Sequence, residues 1–445
     1  MHQIVARNGE VRRWRGRYAR LFAGAALVAG TLGGTFSLIS NAGASQNVTL
    51  TVWQNGALAD SGLGFMTAVA KNFEAAHPGV KIQFVTKPAD NYFALLHVAL
   101  ISHTGPDVLQ TYPGTYSADL LPYLANLNKY VSYSTIKTLT GIQFFGVKSN
   151  PSVDTYALPT EVQYYNGWYN KALFAKAGIK SVPVDYQQMA QDCTIFKAKG
   201  ITAYADGIQT FVTPGSGAVH DWSYLAGGAL SLKQWNSLLN GQLPYTAPAL
   251  VKTVTAWSKL YKDGCTSKNI TTQNASSQFQ NGKVAMIFNY SGMYPLYYQS
   301  LKSNLGVMLT PWSITPVHMM IQLPGSGYAV NKSSPNEKLA AEFVASTVTT
   351  ASQKLASAGG QVPAIANVPT IGVVSQLVSM ASSGKYAIYP MFDNFTPQEI
   401  VGQLDNALPQ AFIGAESAKS ALNTLEQAFK SLPASERHSV FNLGQ

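Results

Sequence analysis

The chain of 445 residues is 46% hydrophobic and only 12% charged. That charged share is about half the usual one, so apolar material suffices for two or three domains and the surface must be made polar largely by uncharged side chains. The formal net charge is +10, but six arginines against Glu10 put half of it into residues 1–44; no dense Lys/Arg run lies beyond, which argues against a nucleic-acid binder. A weakly charged, hydroxyl-rich surface suits a protein that works outside the cell, in an acidic medium.

In chain order, a basic region ending at Arg20 precedes the apolar run Leu21–Ile39 and the small-x-small site Ala42-Gly43-Ala44. Together they read as a secretion signal over residues 1–44. The apolar run is also long enough to span a bilayer, so an uncleaved anchor is the other reading. Val48–Val52 alternates as a strand. Phe65, Met66, Val69, Ala70 and Phe73 then recur at helical spacing until His77-Pro78-Gly79 stops them, and Val80–Phe84 alternates again. This predicts a β-α-β unit with parallel strands. A helix through Phe93, Leu96 and Leu100 follows, then a short strand from Asp107 to Leu109. Such alternation indicates an α/β fold, whose ligands bind beyond the carboxyl ends of the strands, here the loops after Val52 and Leu109.

The same alternation resumes after Tyr156. The stretch Tyr156–Gly178 interleaves Glu161 and Gln163 with several aromatics and ends in an amphipathic segment. Hydrogen-bonding groups beside flat aromatic faces suit a sugar, with hydroxyls at its edge and C–H faces above and below. Neither a metal cluster nor a nucleophile–base pair accompanies it. Helical faces recur at Met189/Cys193/Phe196, at Trp257/Leu260/Tyr261, at Leu339/Phe343 and at Leu422/Leu425/Phe429/Leu432, and Val284, Met286 and Phe288 alternate as a strand after Asn281-Gly282. Pro and Gly clusters near 311–316 and 359–363 mark candidate crossings between domains. Cys193 and Cys265, the two cysteines, are expected to pair as a disulfide in an exported chain; two buried thiols are the other reading.

These segments carry a resemblance. The strand ending in Trp53, Lys71-Asn-Phe73 through His77-Pro78-Gly79 to Ile82, Gly105-Pro106-Asp107-Val108, Tyr169-Asn170-Lys171-Ala-Leu-Phe174, Phe279-Gln-Asn-Gly282-Lys283-Val-Ala285-Met286 and Gly327-Tyr328-Ala-Val-Asn331 occur in one order and spacing. Together they resemble the extracellular solute-binding proteins of the carbohydrate type (family 1, maltose-binding-protein-like), the capture subunits of ATP-driven ABC importers. The resemblance implies a periplasmic-binding-protein-like α/β fold of type II: two lobes, a cleft between them and several hinge crossings. One lobe is expected at 45–158 plus 314–362, the other at 159–313 plus 363–445, which holds both cysteines. It implies a small carbohydrate ligand, membrane permease subunits as partners, an extracellular or periplasmic monomer without cofactor or metal, and no enzymatic activity.

Family members hold sugars with aromatic platforms and a few carboxylates and amides. Trp53 and Asn55 end the first strand; Tyr112 and Tyr116 follow the strand begun by Asp107. Glu161, Gln163 and Tyr164 follow the first crossing, where a carboxylate can accept two hydroxyls. Trp222 is the expected platform of the second lobe, Tyr290 and Tyr294 follow the later strand, Gly327 offers backbone, and Phe395 is a further contact. Two rivals remain: a secreted polysaccharide-acting enzyme, which needs paired carboxylates, and a ferric-ion binder using the adjacent tyrosines Tyr164-Tyr165 or Tyr297-Tyr298. A phosphorylated ligand would require a Lys/Arg pocket and an amine an acidic one; neither is visible as a sequence motif.

Overall fold

A computed structural model describes residues 47–56, 64–88, 91–146, 150–208, 217–266 and 271–437; the expected signal segment lies outside them. In chain order the strands among these are β1 (Val48–Asn55), β2 (Val80–Lys87), β3 (Val108–Thr111), β4 (Ala157–Pro159), β5 (Glu161–Asn170) and β6 (Thr202–Ala205). They continue as β7 (Val284–Tyr290), β8 (Leu305–Met308), β9 (Met319–Pro324), β10 (Gly327–Val330), β11 (Val362–Pro363) and β12 (Ala387–Tyr389).

The first sheet has the order β2-β1-β3-β10-β4. β1 lies parallel to β2 and β3, and β10 returns antiparallel between β3 and β4. In β1 the alternation works as expected: Leu50 and Val52 are buried and Thr49 and Thr51 are not. The helix Phe65–Ala76 turns Phe65, Val69, Ala70 and Phe73 onto this sheet and ends where Gly79 takes φ 88°, a value suited to glycine. Phe73 meets Phe343 edge-on at 5.3 Å, which ties the later helix Glu337–Ser346 to this core. Asp107 orients the start of β3 by accepting from the backbone N–H and hydroxyl of Thr51 (2.8 and 2.9 Å).

The second sheet has the order β12-β9-β5-β7-β6, with β8 and β11 also paired to β5. β5 is its spine. Residues 162–165 pair with β9 and residues 165–169 with β7. Both faces of β5 are largely buried, so it carries no clean apolar–polar alternation. Asn170 then caps the helix Lys171–Ala177 by accepting from the N–H groups of Ala172 and Leu173, and Gly178 closes it at φ 80°. The recognition motif Tyr169–Gly178 is thus a strand-to-helix corner. The core of this half holds Trp222, Trp257, Trp312, Phe412 and Leu425.

Around the crossing expected near 314 the chain stays close to the second sheet. Trp312 is fully buried, 4.6 Å from the Phe288 ring, and β9 still pairs with β5. β9 ends at Pro324 in the second sheet and β10 begins at Gly327 in the first. The Cys193–Cys265 disulfide is formed, with Cα atoms 5.4 Å apart. Closing a loop of 72 residues contributes about 4 kcal/mol in the chain-entropy account.

Candidate functional site

β3 is buried along its whole length and delivers Tyr112-Pro113-Gly114 past its carboxyl end. Tyr112 and Tyr116 meet edge-on at 5.5 Å, and Phe93 backs both, at 5.4 and 5.0 Å. This loop faces the second sheet across a cavity of about 470 Å³, within the range of small-molecule sites. From the far side come Gln163 and Tyr165 of β5, Phe288, Asn289 and Tyr290 of β7, and Leu323–Gly325 at the end of β9. Tyr165 and Tyr290 are cross-strand partners, their rings 6.0 Å apart, and His220 lies 4.8 Å from the Tyr165 ring.

A clasp joins the two walls. The Thr115 N–H donates to the Asn394 carbonyl (2.8 Å), and Asn394 Nδ2 donates to the Pro113 carbonyl (2.9 Å). Tyr116 Oη donates to Asp393 Oδ2 (3.3 Å). Gly114 permits this approach: its φ is 73° and ψ −137°, and a Cβ there would lie 1.8 Å from the Asn394 carbonyl oxygen.

Three aspartates line the cavity: Asp206, Asp221 and Asp393. Asp206 and Asp221 hydrogen-bond one another; burial, and for Asp221 also the charge of Asp206, pushes Asp221 well above the usual carboxylate range and Asp206 up to about 6. Burial likewise raises Asp393 to about 7, opposed by its bond from Tyr116. Asp206 is also held by the Trp257 side chain and the Ile208 backbone, and Asp393 by its own backbone and that of Asn394.

Of the residues singled out in the sequence, the fold brings Tyr112, Tyr116, Gln163 and Tyr290 to the cavity wall. The others lie off it. Trp53 packs beside Tyr92 and Phe93, with Lys87 Nζ 4.0 Å above its ring. Asn55 is buried, its N–H donating to Gln110 Oε1. Glu161 sits in the crossing itself: its two oxygens accept from Gln163 Nε2 (2.8 Å) and Gln361 Nε2 (3.0 Å), and burial raises it above the usual range. Tyr164 points to the opposite face of β5 from Gln163 and Tyr165, into the core, where Gln322 Nε2 donates to its hydroxyl. Trp222 is fully buried and stacked on Tyr245 at 5.9 Å, so it is core and no platform. Tyr294 packs over Trp168; Gly327 abuts Phe145, and Gly325 lines the cavity instead. Phe395 is buried against Phe144 (4.8 Å), while its neighbours Asp393 and Asn394 reach the cavity.

The tyrosine pairs do not converge on a metal. Strand alternation separates Tyr164 from Tyr165, and Tyr297 is buried where Tyr298 is 45% exposed. Among the described residues no group of three or more His, Cys, Asp or Glu is placed to hold a metal ion, and no helix is long and apolar enough to cross a membrane.

Comparison with known proteins places this geometry. The family model of bacterial extracellular solute-binding proteins matches residues 68–382. A protein of Brucella abortus (strain 2308), named as a binding protein without a stated ligand, is 27% identical over 292 residues, 62% of this chain. The match spans 63% of that relative's length. Among solved structures, a chitin oligosaccharide binding protein superposes with a TM-score of 0.75 at 19% identity, over 86% of this chain and 98% of its own. The maltose-bound T. maritima MalE3 does so at 0.72 and 19%, over 86% and 99%. The fold is that of these two-lobed binding proteins.

Proposed function

The chain belongs to the bacterial extracellular solute-binding proteins, and from that premise we propose that it captures a sugar or oligosaccharide outside the cell and hands it to an ABC importer. The observation that carries this reading is the cavity lining: Tyr112, Tyr116, Tyr165 and Tyr290 stand beside Gln163, Asn289 and Asn394 around a space where the β3 loop meets the second sheet. Aromatic faces for the C–H surfaces and amides for the hydroxyls are the two elements that saccharide recognition needs. The superposable structures named for a chitin oligosaccharide and for bound maltose support the same ligand class.

Capture works by closure. Ligand settles on the second sheet's tyrosines, and docking of the Tyr112–Ser117 loop onto Asp393–Asn394 stabilises the closed form. The two lobes correspond to the two sheets, hinged at Thr160, Gly325–Ser326 and Gln361–Val362. The Thr160 N–H donates to the Ser326 carbonyl (3.0 Å) and the Gly325 N–H to the Glu161 carbonyl (2.8 Å) at that hinge. A permease reads the closed shape; the carrier is a monomer, exported by residues 1–44, and binds no nucleic acid.

Binding is favoured over catalysis by the family the chain belongs to. Glycoside hydrolysis sets two carboxyl groups roughly 5–9.5 Å apart across the scissile bond, a spacing that Asp206 and Asp221, which touch, do not have between them. The test is a thermal-shift screen against mono-, di- and oligosaccharides, since a ligand of the folded state alone raises the melting temperature. At least one saccharide is expected to raise it without being consumed. A flat response across the screen, or product formation, overturns the reading.

A further inference from the structure

The cavity is acidic in a chain that is poor in acid. Of 21 Asp and Glu residues, three from distant positions, Asp206, Asp221 and Asp393, line it, each at most 8% exposed. No lysine or arginine lines the cavity among the described residues, His220 being the one basic side chain on its lining, and residues 209–216, between the lining residues Gly207 and Gly217, contain no charged residue. A buried carboxylate without a cation is costly. Two carboxyl groups in contact stay so only by sharing a proton, because like charges at that range cannot both ionise. The shared proton thus occupies the place of a positive charge.

From this we infer that the cavity selects a ligand carrying a protonated amine, which under the saccharide reading of the site means an amino sugar with a free ammonium group. An ammonium has three N–H donors and no acceptor. It can displace the shared proton and bridge Asp206 and Asp221, supplying the single positive charge that the proton supplied. Asp393 lines the same space, its Oδ2 accepting from Tyr116. The faces of Tyr112, Tyr165 and Tyr290 add cation–π attraction. A phosphorylated or carboxylated sugar finds no lysine or arginine to balance its charge among the described lining residues. A neutral saccharide could still donate hydroxyls to the same oxygens, so the discriminating variable is the charge of the nitrogen and not the ring.

The experiment is calorimetric titration of the full chain at pH 7.5 with glucosamine di- and trimers, their N-acetylated counterparts, maltotriose and spermidine. The free-amine sugars are expected to bind at least tenfold tighter than the acetylated ones. Their binding should release a proton, seen as a dependence of the heat on buffer ionisation enthalpy. Asp221→Asn and Asp393→Asn should each reduce the amine preference at least tenfold, with melting curves confirming that the variants are folded. The wild-type comparison decides even if they are not. Equal or tighter binding of acetylated or neutral sugars overturns the amine inference and leaves sugar capture standing. Binding of spermidine with no saccharide bound supports amine recognition and overturns sugar capture. Binding of none overturns both.

Discussion

Replacing Gly114 by alanine tests whether the clasp between the two walls holds the ligand-bound state. The new methyl would sit 1.8 Å from the Asn394 carbonyl oxygen and 2.7 Å from its carbon. Both are backbone atoms that cannot swing aside, so the loop and the 393–394 segment must part. The backbone of Gly114 is also at φ 73°, ψ −137°, a conformation in which a side chain costs roughly 1–3 kcal/mol. Parting breaks two cross-wall hydrogen bonds, Thr115 to Asn394 and Asn394 to Pro113, each worth about 0.5–1.5 kcal/mol net. The joined state therefore loses about 4 kcal/mol, equivalent to nearly a thousandfold in affinity for a ligand that needs it. Calorimetry with the best ligand from the saccharide screen, with small-angle scattering to follow closure, measures the effect. Gly402→Ala is the control. Nothing lies within 4 Å of its Cβ position and it lies inside the helix Gln398–Ile413, so it should leave affinity intact and gain about 0.5–1 kcal/mol of stability. A Gly114→Ala affinity within threefold of wild type would refute the clasp.

The buried acids make stability depend on pH in an unusual sense. Burial raises Glu161, Asp206, Asp221, Asp393 and Asp405, so between about pH 4 and 7 the folded chain holds more protons than the unfolded one. By linkage its stability falls as pH rises through that window. Glu74 is lowered and opposes them, but the raised groups outnumber it, so melting at pH 4.5 should exceed melting at pH 7.5 by several degrees; the reverse order refutes the assignment. Tyr290→Ala removes a cavity face and should weaken saccharide binding about tenfold, near the upper end of aromatic contact energies, with little change in melting; calorimetry and melting together check both halves. Trp222→Ala should instead cost about 3–5 kcal/mol of stability, as for other buried tryptophans, measured by urea unfolding; an affinity loss without destabilisation would return it to the site. Glu161→Gln sets an amide N–H against a Gln163 or Gln361 donor and should destabilise by about 1–3 kcal/mol, read in the same unfolding assay.

The parts legible in the sequence are those whose signal is local. Leu50 and Val52 alternate, Phe65 to Phe73 keep a helical period, and Tyr112 and Tyr116 follow the carboxyl end of a strand, which in an open α/β sheet is where ligand space lies. β5 defeats the same logic. It is buried on both faces, so no alternation of polarity tells that Gln163 and Tyr165 share the cavity side while Tyr164 faces the core. Glu161 looked free because its partners are an amide two residues on and another 200 residues on. Trp222 and Phe395 illustrate a displacement by a residue or two: the hydrophobic member of Asp221-Trp222, and of Asp393-Asn394-Phe395, anchors the segment and so aims its polar neighbours at the cavity. The aspartate cluster has no sequence signature at all, since only the fold brings 206, 221 and 393 together.

The disulfide has a mechanical consequence. The 72-residue span between Cys193 and Cys265 includes β6 and the helix Ala218–Ala229, and with them Asp206 and Asp221. Under tension applied to the chain ends, that span cannot pay out. At about 3.5 Å per extended residue it withholds some 250 Å of contour length, so a pulled molecule should give a shorter final extension than its residue number implies, and lengthen by that amount once reduced. A protease that cuts between Asp206 and Gly217 would likewise leave the two fragments covalently joined, with both halves of the carboxyl pair still on one molecule.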